Sequence, residues 1–373
     1  MQKSSNFFKI TFIYFVSLVL FVGIRIFFSL GFLSGVTESV QDILSTLIIQ
    51  VVIMLLVPFA LYMLFYKKKP KESLKKLGFK KITGKAVLIC FLIGIIAFLL
   101  NIVVSSIFNG LINSLGFESN SSSTTGDYSI WSFLLNVLCV AVLPGFCEEF
   151  LHRGVLMRGM FNSISVKHAL ILSSICFGLM HLNIVQVFYA AILGLLIGFV
   201  SIIGKSIWPA IIIHFTNNFI NVYLSFASAN GWPLGNFYDI INSFISQNFF
   251  ISIIVIILVI CLLIFALLKL VMQLFGISSF ENFTKMMRII KNSVNEYKQD
   301  NPDNNISDIE VVNELEYDIL DVLPEIRDRG TENMFFQDIY PKEKLIFRDK
   351  IFIIATIFLG VFITISTFIW GIL

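Results

Sequence analysis

Charge is what this sequence has least of. Only 14% of its 373 residues are Asp, Glu, Lys or Arg, against 57% hydrophobic, and the mean hydropathy is +0.87. Soluble globular domains carry about a quarter charged residues, so that class is excluded. Also missing are the alternating strands of roughly ten residues that an outer-membrane barrel would need, whereas apolar runs of about twenty residues recur. Helices are the remaining way to satisfy backbone groups in lipid. Pairable cysteines are lacking as well: Cys90, Cys139, Cys147, Cys176 and Cys261 all fall inside apolar segments, so no disulfide framework is signalled and the redox compartment stays open. Cys147 stands beside Glu148, but a thiol in apolar surroundings is a packing residue rather than a nucleophile. No nucleic-acid partner is expected.

What is present is an all-α, polytopic transmembrane helical bundle, about eight core helices plus a C-terminal ninth, with a small cytoplasmic segment before the last helix. Residues 1–275 form the bundle, 276–349 the soluble segment and 350–373 the last crossing. The first run, Ile10 to about Leu33, is too long for a signal-peptide core and reads as a retained helix with its N-terminus cytoplasmic. Arg25 within it marks the outer end of a shorter span or pairs inside the bundle. The second helix runs from about Ile43 to Tyr66. The loop after it carries Lys67, Lys68, Lys69, Lys71, Lys75, Lys76, Lys80, Lys81 and Lys85, which the positive-inside rule places in the cytoplasm, in contact with anionic lipid. A third helix, about Ala86 to Phe108, leads to an external polar loop, Asn113 to Ser129. The fourth starts near Trp131, and Pro144 with Gly145 predicts a kink in it.

The fifth helix spans about Ala169 to His181, and the sixth, with Gly194 and Gly198 spaced for close packing, runs to Lys205. The seventh begins near Trp208, an outer loop covers Ala229 to Gln247, and the eighth spans Phe249 to Phe275. Residues 276–349 hold 16 of the 24 acidic and 9 of the 27 basic residues. They read as a solvated cytoplasmic segment or a small docking module for a protein partner.

Against this background CEEFLHRG, Cys147 to Gly154, stands out, because each ionised side chain near a bilayer centre costs about 3 kcal/mol and needs a use or a partner. Glu149 and Arg153, Glu148 and His152, Phe177 and His181, and His214 and Asn218 are all i, i+4 pairs, each on one helical face. Glu149 with Arg153 reads as an internal ion pair that leaves Glu148 free. A carboxylate and two imidazoles can activate water directly, with Glu148 as general base, or by holding a metal. Asn218 and His214 are donors for a developing oxyanion. His168, near the cytoplasmic boundary, is expected to be structural.

EExxxR, FxxxH and HxxxN, in that order on three helices, resemble the motifs of the CPBP family, the CAAX prenyl protease and bacteriocin-processing (Abi) intramembrane proteases. The resemblance covers Trp131 to Asn221. It implies an intramembrane endopeptidase open to the cytoplasm, acting on a membrane-delivered or prenylated peptide; separately, with no organelle signal in the sequence, the plasma membrane is the simplest expectation. Glu148 and His181 would activate the water, His214 and Asn218 would stabilise the oxyanion, and Glu149 with Arg153 would support Glu148. The metal question stays open, between a metal-independent peptidase and Zn2+ on Glu148, His181 and His214, since no HExxH is present. His152 stands where the family commonly has an aromatic and is either a bystander or a further ligand or proton carrier. The competing classes are a non-catalytic membrane scaffold or bacteriocin-immunity-type binding protein, and a proton-coupled transporter, for which no inverted repeat is visible.

Overall fold

The computed structural model describes residues 5–32, 35–117, 127–247, 249–275 and 345–370. Among these there is no strand. Seven helices are long and apolar enough to cross a membrane: α1 (Asn6–Ser29), α2 (Ser39–Tyr66), α3 (Gly84–Ser114), α4 (Ile130–Met160), α6 (Ile184–Ile203), the eighth helix within Phe249–Phe275 (α8) and the last within Phe347–Trp370 (α9). Two further helices belong to the bundle: α5 (Val166–Met180), shorter than a full span, and α7 (Trp208–Asn230), which carries the polar motif His214 to Asn221, and a short helix, Pro70–Lys76, lies in the lysine-rich loop. The polytopic helical bundle expected from composition is therefore the fold. The segment expected as an outer loop holds a short helix, Phe237–Gln247. Its apolar residues Phe237, Ile240, Ile241 and Phe244 follow helical i, i+3, i+4, i+7 spacing, a signal that overrides the flanking turn residues. The acidic segment lies outside the described residues from 276 to 344.

Two apolar cores divide the bundle. One gathers α1, α2, α4 and α5 around Ile10, Tyr14, Phe150, Leu151 and Met157; the other gathers α3, α6, α7 and α8 around Ile93, Ile197 and Ile213. The seam between them is where α4 meets α7, and α4 also lies against α2.

Both α2 and α4 are irregular for the same reason. Pro58 and Pro144 have no N–H to return to the carbonyl four residues earlier, and each follows a widened π-helical stretch, Ile48–Leu56 and Val137–Val142. The bond register slips to five there: Val57 N–H reaches Val52 O and Leu143 N–H reaches Leu138 O. A second π stretch, Phe150–Met157, follows the glutamates. The interruption expected at Pro144 thus takes the form of one π stretch before the glutamates and a second that carries His152 and Arg153.

The ends of the bundle can be told apart by chemistry. At one end the Asn6 amide donates to Gly159 O (2.6 Å), Tyr66 hydroxyl bonds Asn6, and Ile207 N–H donates to Gly78 O (2.9 Å). This end carries the lysine-rich loop. At the other, Asn230 donates to Tyr128 O (3.1 Å) and Phe117 stacks on Phe368.

Candidate active site

Helix α4 brings the glutamates to the seam, and their roles separate by burial. Glu149 and Arg153 are fully buried and paired at 2.9 Å. The same Glu149 Oε1 accepts the Nδ1 proton of His214 at 2.8 Å. Arg153 donates its second nitrogen to Gly194 O at 3.0 Å and lies over the Phe177 ring, 4.4 Å from its centroid. A side chain at residue 194 would place its Cβ 3.2 Å from both Arg153 Nη2 and the Phe177 ring, so the bare backbone of Gly194 is what lets α6 cover the guanidinium. The close-packing reading of the GxxxG pair holds, and the thing packed is a charge.

Glu148, one residue earlier, is half-buried and accepts from Gln50 Nε2 on α2 at 2.9 Å. It lines a cavity of about 390 Å3 together with His181, His214, Asn218 and Phe177. Three separate helix segments and the turn after α5 therefore converge on one space. Glu149 and Arg153 stand behind it and do not line it.

The tautomers follow from the partners. His181 caps α5, and its Nδ1 lies 3.0 Å from Phe177 O; a carbonyl only accepts, so Nδ1 carries the proton and Nε2 of the neutral ring keeps its lone pair. His214 has the same arrangement, with Glu149 as acceptor. Asn218 gives one amide proton to Val140 O at 3.0 Å, the carbonyl that Pro144 cannot serve, and accepts Asn217 Nδ2 at 3.0 Å. Phe177 ties the cluster together, edge-to-face with the rings of His152, His181 and His214 at centroid distances of 5.0, 5.2 and 5.7 Å.

His152 is not among the cavity-lining residues. It is fully buried, its Nδ1 donates to Glu148 O at 2.7 Å, and its Nε2 meets the Tyr14 hydroxyl at 3.0 Å. The Tyr14 hydroxyl shares its one proton between His152 Nε2 and Cys176 O, each at 3.0 Å, so it fastens α1 to both α4 and α5. His168 bonds only its own cap, Ser165 Oγ, at 2.6 Å.

Among the described residues no three His, Cys, Asp or Glu side chains form a group able to hold an ion, although His181 and His214 each donate Nδ1 to an oxygen and leave Nε2 free.

Four cavity residues escaped the sequence reading. Gln50 is 7% exposed, and its Oε1, like Asn217 Oδ1, is buried without a hydrogen bond, as acceptors awaiting water or a peptide N–H would be. Asn101 and Gln186 complete the amide lining. The available signal was a lone Gln in the apolar run of α2. Arg25 is exposed, lies 5.7 Å over the Phe21 ring and also lines the cavity.

The lining also gives the cavity a direction. Arg25 stands four residues from the end of α1, Thr46 in the first third of α2 and Gln186 in the first turn of α6. All are in the halves of their helices remote from the lysine loop. The cavity thus extends from Glu148 and His214, deep in the bundle, toward the end remote from the lysine loop.

Residues 130–220 match the family model described as type II CAAX prenyl endopeptidase, Rce1-like. The match bears out the resemblance drawn from the three motifs, over the stretch that carries them. No curated protein and no solved structure matches the chain.

Proposed function

We propose that this integral membrane protein is an endopeptidase of the CAAX prenyl protease kind, hydrolysing a peptide bond with a water held between Glu148 and His181. The observation that carries the reading is the single cavity lined by Glu148, His181, His214 and Asn218, drawn from distant parts of the chain. Glu148, positioned by Gln50 on its other side, accepts a proton from the attacking water as the C–O bond forms and returns it to the amine nitrogen as the C–N bond breaks. His181 faces the same space with an unprotonated Nε2 and serves as the second base. Asn218 retains one amide proton for the oxyanion; His214 donates there only when both its nitrogens are protonated, with Glu149 partnering Nδ1. Arg153 and Glu149 hold this frame without touching substrate.

The amide-rich lining suits an extended peptide backbone, with Arg25 available to a carboxylate. Substrate is proposed to enter from the face opposite the lysine loop. The test is cleavage of prenylated and unprenylated membrane peptides by the purified full-length chain, with metal content measured on the same samples. Glu148→Ala is expected to lower kcat/KM about a thousandfold, the middle of the range for losing a general base. Equal cleavage by wild type and variant would sink the assignment. A folded protein that cleaves neither substrate class favours a binding role instead.

A further inference from the structure

A second cavity, of about 610 Å3, lies at the lysine end, separate from the site above. Its cations are Lys68, Lys75, Lys76, Lys80 and Arg158, against one acid, Glu72, which stands 4.0 Å from Lys68. Arg158 is its built element. The guanidinium is fixed by Nη2 donating to Ser201 O at 3.0 Å and Ser201 Oγ at 3.2 Å, while its buried Nε has no hydrogen-bond partner. Gly78 sits beside it at φ +96°, where a Cβ would collide with the guanidinium, so backbone and side chain are fitted to each other. Ile10, Leu77 and Phe161 supply apolar wall next to these donors. The cavity is bounded by the ends of α1, α2 and α4, where spanning helices leave the hydrocarbon.

The geometry points to a binding site for the phosphate headgroup of an anionic phospholipid, with Arg158 as its inner anchor and the three lysines 75, 76 and 80 around it. A cavity rich in donors, holding a preoriented guanidinium and an apolar wall, matches a phosphodiester with its glycerol attached. Lipid is also the anion always adjacent to this boundary. The site belongs to α4 on the same helix as Glu148 and is independent of the catalytic reading.

The decisive measurement compares two charge-matched variants of the full chain in phosphatidylcholine nanodiscs titrated with phosphatidylglycerol, read by thermal unfolding midpoint and by lipid photocrosslinking. The triple change Lys75→Gln, Lys76→Gln, Lys80→Gln should weaken phosphatidylglycerol binding about a hundredfold, given the usual worth of each interfacial cation. The triple change Lys67→Gln, Lys71→Gln, Lys81→Gln removes as many charges from the same loop outside the cavity and should cost less than tenfold, because those cations do not contact a headgroup seated there. Equal losses would overturn the proposal, leaving only diffuse attraction of a basic loop. Inorganic phosphate is the second arm: stabilisation by phosphate with none by phosphatidylglycerol would overturn the lipid assignment in favour of a free anion. No saturable response to either would overturn the site.

Discussion

Two adjacent glutamates do different work because one is sealed and the other is not. Glu149 shares one oxygen between Arg153 and His214 in a fully buried cluster, whereas Glu148 faces the cavity with Gln50. Removing one member of a buried pair strands the other, at about 3–5 kcal/mol. Arg153→Ala should therefore lower stability by about that amount, measured by unfolding in micelles, and the double variant Glu149→Gln, Arg153→Gln should be less damaged than the sum of its parts. Glu148→Ala should leave the unfolding midpoint near wild type while activity falls. At this scale the i, i+4 spacing made the Glu149–Arg153 pair legible. The reach of His214 to Glu149 rather than Glu148 was not, because no spacing rule links residues 65 apart on different helices.

At the scale of the element, α4 is a helix interrupted to serve its site. Pro144 frees Val140 O, and Asn218 from α7 takes it. Pro144→Ala should return a donor to that carbonyl, compete with Asn218 and let the π turn relax. Folding should survive, and kcat should drop about a hundredfold, as expected for displacing a catalytic group by about 1 Å. Circular dichroism with single-turnover kinetics checks both. An interruption was legible from Pro-Gly; its form was not, since a π turn depends on which neighbour claims the released carbonyl. Gln50 was hidden for a related reason: one amide in an apolar run has meaning only once α2 lies against α4.

The whole molecule sets the active cavity and the lysine loop toward opposite ends. In sealed vesicles sorted by orientation, added peptide should be cleaved only where the end remote from residues 67–85 faces the added solution. Labelling of loop lysines by an impermeant reagent assigns the orientation. Cleavage confined to vesicles whose labelled lysines face the peptide would reverse the assigned entry side. Composition and the recurrence of apolar runs by themselves determined a helical membrane bundle, and the order of three polar motifs determined which helices bring polar residues to the cavity, because both depend on local pattern. Only tertiary structure decided that His214 joins the Glu149–Arg153 pair, that His152 fastens α1 to α4, that Gln50 and Asn217 line the cavity, and toward which end the cavity extends. Those depend on how helices far apart in the chain meet, and burial, not spacing, tells a working charge from a structural one.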